Sequence, residues 1–122
     1  MGYRSDVRIR TTKKGFEILE KEIQNKLKEK NLTEDYNLLK VAKITVTIED
    51  GKDAVTIDWE CIKWYQGYKD VDIVMSSLST LAEENIDYQY MRIGEEIADI
   101  EEIWNVNNDS FEGFYCSRNF EG

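Results

Sequence analysis

The sequence predicts an α+β fold, a ferredoxin-like β-α-β-β-α-β sandwich with an antiparallel sheet and an extra C-terminal strand. Three observations lead there. Segments around residues 3–10, 43–48, 55–61 and 88–93 alternate with period two, and two amphipathic stretches of helical period separate them. Asp50-Gly51 lies between the second and third alternating segments, the usual signal of a tight hairpin. The order strand, helix, strand, strand, helix, strand is that of the split βαβ motif, whose usual form packs both helices on one face of the sheet.

In residues 3–10, Tyr3, Ser5, Val7 and Ile9 point one way and Arg4, Asp6, Arg8 and Arg10 the other, as in a half-buried strand. Thr11 or Thr12 then offers a side-chain oxygen as a helix cap. Phe16, Leu19, Ile23 and Leu27 form an apolar stripe over residues 13–30, with Asn31 as the stop. Ile44, Val46 and Ile48 make a second strand; Val55, Ile57, Trp59 and Cys61 make a third, antiparallel to it. A bulge is expected to carry the third strand on through Ile62, Lys63, Trp64 and Tyr65, where the alternation changes phase. Asp70 is the expected cap of a second helix bearing Val71, Val74, Leu78 and Leu81 and ending near Asn85. Tyr88, Tyr90 and Arg92 alternate with Gln89, Met91 and Ile93 in a fourth strand. Ile97, Ile100, Ile103 and Trp104 fit a helical turn better than a strand. Phe114-Tyr115-Cys116-Ser117 reads as a last strand at a sheet edge.

Composition excludes several functions. A length of 122 residues suits a single domain, 1–122, and the apolar fraction of 41 % suits a packed core rather than a disordered chain. No apolar run is long enough to span a bilayer, and the polar opening MGYRSDVRIR is not expected to be a secretory signal. With no His, the chain cannot build a Ser/His/Asp or Cys/His nucleophile. Two lone cysteines, Cys61 and Cys116, make no four-ligand zinc site and are expected to be reduced thiols. No calcium loop, Walker loop or Gly-rich dinucleotide turn is present, and Gly94 reads as an isolated turn. No cofactor, catalytic residue or metal ligand is assigned. Asp58 with Glu60, and Glu95 with Glu96 and Asp99, are the sparse basis for a metal-dependent hydrolase.

Charge is unevenly distributed. The formal net charge is −9, but residues 1–43 hold 11 Lys/Arg against 7 Asp/Glu, a net of +4, and residues 44–122 a net of −13. Residues 94–122 hold eight acids and one base, Arg118. Such a field repels phosphates and weakens direct nucleic-acid binding, while it attracts basic protein surfaces. The candidate protein-binding residues are therefore the aromatics Trp64, Tyr65 and Tyr68, one of the first two facing solvent, with the acids Glu95, Glu96, Asp99, Glu101 and Glu102. Arg4, Arg8 and Arg10 share one face of the first strand. With Arg92 and Arg118, and Tyr90 beside them, they form a candidate anion or nucleotide cradle; the competing reading is internal pairing with carboxylates such as Asp58 or Glu60.

Four segments carry a family resemblance: Met1-Gly2-Tyr3-Arg4-Ser5-Asp6-Val7, Trp59-Glu60-Cys61-Ile62-Lys63-Trp64-Tyr65, Met91-Arg92-Ile93-Gly94-Glu95 and Tyr115-Cys116-Ser117-Arg118. Together they resemble small uncharacterised proteins of phages and prophages, a family that assigns no catalytic residues. The resemblance implies a small accessory protein of a mobile element in a bacterial cytoplasm. The resulting expectation is a non-enzymatic, anti-CRISPR-like counter-defence protein that binds a host defence component through its acidic half. The alternatives are a sponge for a phosphorylated signal nucleotide and the metal-dependent hydrolase. An open sheet leaves an edge, so a homodimer is also expected.

Overall fold

A computed structural model describes residues 3–49, 51–116 and 120–121. The elements are β1 (Ser5–Thr12), α1 (Lys13–Glu29), β2 (Lys43–Glu49), β3 (Lys52–Ile62), α2 (Lys69–Glu83), β4 (Tyr88–Ile93), β5 (Ile100–Asn105), β6 (Tyr115–Cys116) and β7 (Phe120–Glu121). Short 3₁₀ turns at Glu34–Tyr36 and Leu38–Val41 join α1 to β2. The fold is α+β: two helices and a five-stranded sheet ordered β2-β3-β1-β4-β5, every neighbouring pair antiparallel.

Period two decides the layers. Val7, Ile9, Val55, Ile57, Trp59 and Tyr90 are buried on one sheet face and join Leu19, Ile23 and Leu27 of α1 and Val71, Val74 and Leu78 of α2 in one core. Thr12 caps α1, its Oγ1 accepting from Gly15 N at 2.9 Å. Both helices end at a left-handed asparagine, Asn31 and Asn85, each with φ 56°. The next residues close the last turns, Leu32 N donating to Leu27 O and Ile86 N to Leu81 O, both at 2.9 Å.

Several expectations are corrected. Residues 97–104 are not a helix: Ile97 and Ala98 lie in a single turn closed by Asp99 N donating to Glu96 O at 3.0 Å, and Ile100–Asn105 is the edge strand β5. Its apolar residues recur at spacing three because neither face is fully buried: Ile100 and Trp104 lie on one face, Ile103 on the other, and all are exposed. The bulge falls earlier than expected. Ser5 pairs with Ile62 but Val7 with Trp59, so Glu60 and Cys61 oppose Asp6 alone. Cys61 takes φ 52°, Asp6 Oδ1 accepts from its N–H at 2.9 Å, and the chain leaves the sheet after Ile62. Asp70 is not the cap of α2. Tyr68 holds that position without a side-chain bond, and Asp70 lies in the first turn. The C-terminal strand does not extend the sheet, since β6 pairs only with β7 in a separate ribbon; Ser117 lies outside the described residues.

The face away from the helices is not open. The segment after β5 crosses it as a strap. Asp87, 1 % exposed, accepts from the backbone N–H groups of Asn107, Asn108 and Ser110 at 2.8–3.1 Å. Gln89 exchanges two bonds with Phe114: Nε2 to the carbonyl at 2.7 Å, and the Phe114 N–H to Oε1 at 3.0 Å. Phe114 is fully buried on Met91 and Ile93, a second small core under the strap.

Candidate functional site

At the end of the sheet where β1 begins, a cleft of about 640 Å³ opens between α2 and β4–β5. Tyr3, Trp64, Tyr65 and Tyr90 supply aromatic walls; Val71 and Met75 of α2 supply apolar ones. The charged lining is Asp72, Asp99 and Glu101 with one cation, Arg92, and Gln66 adds a neutral amide. Arg92, Asp99 and Glu101 form one network. Arg92 donates from Nη2 to Asp99 Oδ1 at 2.6 Å, from Nη1 to Asp99 Oδ2 at 3.1 Å, from Nε to Glu101 Oε1 at 2.6 Å, and from Nη1 to Ser5 Oγ at 3.0 Å. The Tyr3 hydroxyl donates to Asp99 Oδ2 at 2.6 Å and accepts from Glu96 N at 3.0 Å. The Tyr65 hydroxyl accepts from Tyr3 N at 2.5 Å.

This wiring sets the protonation states. Hydrogen bonds from Arg92 and then Tyr3 hold the Asp99 carboxyl down at about 2. The same Asp99 bonds raise Arg92 further above the usual guanidinium range, and burial followed by the charge of Glu101 raises Tyr90. The cleft therefore sets an ionised Asp99 against the Arg92 guanidinium, with Asp72 and Glu101 as further acidic side chains, an acidic, aromatic recess suited to a cationic group.

Gly94 is the backbone condition for the network. A Cβ there would collide with the Asp99 carboxylate and the Tyr3 hydroxyl, while Gly94 N donates to Asp99 O at 2.8 Å. The isolated glycine is thus required by close approach rather than by a turn conformation.

Outside the cleft, β5 forms one edge of the sheet. Ile97 is 80 % exposed, and Ile100, Ile103 and Trp104 about two-fifths exposed. Between them Glu95, Glu96, Glu101 and Glu102 are exposed, and residues 94–116 contain no Lys or Arg. Glu95 Oε2 accepts from Arg4 N at 2.5 Å, and Glu102 Oε2 from Trp104 Nε1 at 3.2 Å.

The five acids of the expected binding set thus lie together, on β5 and the loop before it. The aromatics do not share one exposed patch. Trp64 is 7 % exposed, its ring 5.0 Å from that of Trp59, so it is a core residue that also lines the cleft. Tyr65 is half-buried; Tyr68 is exposed and packs edge-on against it at 5.1 Å.

The arginines are not brought together as one set: Arg8 and Arg10 meet over one ring, apart from Arg4 and Arg92. Arg8 donates from Nε to Asp58 Oδ1 at 2.7 Å. Arg10 donates from Nε to Thr56 Oγ1 at 3.0 Å and from Nη1 to Glu112 O at 2.9 Å. Both guanidiniums stack over the Phe114 ring, 5.4 and 5.2 Å from its centroid, so the strap covers them. Arg92 sits directly opposite Val7, on the helix face, where it cannot join Arg8 and Arg10. Arg4 precedes β1, is exposed and donates to Cys61 O at 3.2 Å. Arg118 lies outside the described residues. Of the two readings of the arginine row, internal pairing with carboxylates describes Arg8 and Arg92, while Arg10 bonds a hydroxyl and a backbone carbonyl. Among the described residues, no three His, Cys, Asp or Glu side chains converge as metal ligands, and Asp58 is engaged by Arg8.

Local pattern carries no sign of Tyr3 or Asp72 as site residues: Tyr3 bonds Asp99, 96 residues on, and Asp72 lines the cleft only through the packing of α2 beside β4 and β5. Comparison with known proteins returned no matching family model, no matching curated protein and no matching solved structure.

Proposed function

We propose that this chain is a non-enzymatic binding protein that takes a basic protein surface on β5 and the acidic segment before it. The observation that carries this reading is the composition of that edge. Ile97, Ile100, Ile103 and Trp104 stand exposed among four exposed glutamates, with no cation on the same stretch. Exposed apolar residues ringed by one sign of charge are the makings of an interface with a complementary partner. The adjoining cleft receives one lysine or arginine side chain of the partner, between tyrosine faces and the carboxylates Asp72 and Glu101.

Three finer readings belong to the same proposal. The antiparallel order β2-β3-β1-β4 supports a ferredoxin-like class with β5 added beside β4. The acidic edge, together with the phage-like opening heptapeptide, supports a partner among the nucleic-acid-handling proteins of bacterial defence, whose basic groove the acids would occupy. The same resemblance supports a bacterial cytoplasmic setting.

The test is an NMR titration of the labelled protein with an arginine-rich peptide and, separately, with single-stranded DNA. Shifts confined to residues 94–105 and the cleft, with the peptide alone, are expected. Peptide-induced shifts centred elsewhere, or stronger binding to DNA, would overturn the reading. For the partner class, capture from bacterial lysate should return a nucleic-acid-handling protein that loses binding when Trp104 is replaced by Ala.

A further inference from the structure

We infer that the opposite edge of the sheet, β2, joins a second copy of this chain in a symmetric antiparallel pair centred on Val46. The strand reads Lys-Ile-Thr-Val-Thr-Ile-Glu over residues 43–49. Its inner five residues are the same in both directions, and its ends carry opposite charges. A two-fold axis through Val46 sets Ile44 of one copy against Ile48 of the other, Thr45 against Thr47, and Lys43 against position 49, a glutamate in the sequence. Each apolar residue then meets an apolar one, each threonine a threonine, and each lysine a carboxylate, twice over. A slip of one residue would set isoleucines against threonines on the wrong faces.

The structure leaves this edge available. β2 ends the sheet order, and Ile44, Val46 and Ile48 are 41 %, 59 % and 71 % exposed. They lie on the helix-covered face, in register with Ile57, Val55 and Asp53 of β3, but beyond the helices' shelter. Val41, 70 % exposed, adds to the same apolar margin. Pairing with β3 runs without a bulge from Lys43↔Asp58 to Glu49↔Lys52, and the chain contains no proline, so two common protections of a free edge are missing. The register Glu49↔Lys52 leaves two residues between the strands, the spacing at which the flanking pair is hydrogen-bonded. Alternation from there turns the N–H and C=O groups of Ile44, Val46 and Ile48 outward, three donors and three acceptors that match their own copies. The other edge, β5, carries Glu101 and Glu102, which would face like charges in a symmetric pair.

Sedimentation equilibrium on the whole chain tests this, with four variants. The wild type should be a dimer. Val46→Pro should be monomeric and still folded, with a cooperative melt whose Tm no longer rises with protein concentration, because the lost N–H points off the sheet. Lys43→Glu should weaken the dimer about tenfold and Lys43→Glu with Glu49→Lys should restore it. Val46→Cys, with both native cysteines replaced by serine, should oxidise to a covalent dimer, since Cα atoms of a hydrogen-bonded pair lie about 5.5 Å apart, within disulfide reach. A wild type that stays monomeric up to about 1 mM overturns the inference. So does a dimer that survives Val46→Pro. If that variant fails to fold, the cross-link decides: no covalent dimer refutes the register. None of these outcomes bears on the β5 reading.

Discussion

Replacing Phe114 by Ala should cost about 3–4 kcal/mol of stability. The ring is fully buried against Met91 and Ile93 on one side and under the Arg8 and Arg10 guanidiniums on the other. Burying a phenyl group contributes up to about 3 kcal/mol, and each cation–π contact about 0.5–1 kcal/mol more. Measured Phe→Ala losses run about 3–5 kcal/mol, and the lower part of that range applies here because the strap is a loop that can settle onto the sheet. For a chain of 122 residues, the loss corresponds to a fall in Tm of about 9–16 °C. Urea unfolding measures it directly. Arginine Nε–H exchange is the second readout: the Arg8 and Arg10 protons, bonded to Asp58 and Thr56, should exchange faster once the strap loosens. Ile97→Ala, at an 80 % exposed position, should change stability by no more than about 0.5 kcal/mol. A Phe114→Ala loss below about 1 kcal/mol, or a loss equal to that of Ile97→Ala, would refute the account of a packed strap.

Other consequences follow from the same contacts. Asp87→Ala should destabilise by about 3 kcal/mol in urea unfolding, since it leaves the Asn107, Asn108 and Ser110 N–H groups without their carboxylate. Stability should fall on acidification from about pH 4 toward pH 2. Asp99 is held down at about 2, and Asp87 is also lowered, its burial outweighed by bonds from Asn107, Ser110 and Asn108. A depressed carboxyl contributes stability that is present above its unfolded value and lost as pH falls through its folded one. Asp99→Asn should flatten that limb of the pH–stability curve. Gly94→Ala should lower Tm and break the Tyr3–Asp99 bond, seen as a loss of the upward shift of the Tyr3 phenol in a spectrophotometric titration.

How much of this the sequence discloses depends on where hydrogen-bond partners lie. β1 through β4 and both helices are legible because apolar and polar side chains recur along them at period two or 3.6. The α1 stripe Leu19, Ile23 and Leu27 and the Thr12 cap needed no tertiary information. β5 was misread because an edge strand with neither face fully buried has no clean alternation. That Arg92 lies on the face opposite Arg8 and Arg10, and so cannot join their cradle, is illegible for the opposite reason. Almost every residue of β4 is buried, under the helices on one side and the strap on the other, so alternation carried no polarity. The strap left no local trace, because Asp87 and Gln89 find their partners 20–25 residues later through ordinary backbone groups. The acidic set Glu95, Glu96, Asp99, Glu101 and Glu102 was legible as a cluster in sequence. That Asp99 is turned inward to Arg92 and Tyr3 was not.

The binding role of the β5 edge is tested most directly by calorimetric titration of an arginine-rich peptide into two variants of matched charge. One carries Glu96→Gln, Glu102→Gln and Trp104→Ala on the edge; the other carries Glu83→Gln and Glu84→Gln at the end of α2. Affinity should fall about tenfold or more for the first and by less than about twofold for the second. Equal losses would show that the peptide feels only overall charge, and the edge would have no claim to be the interface.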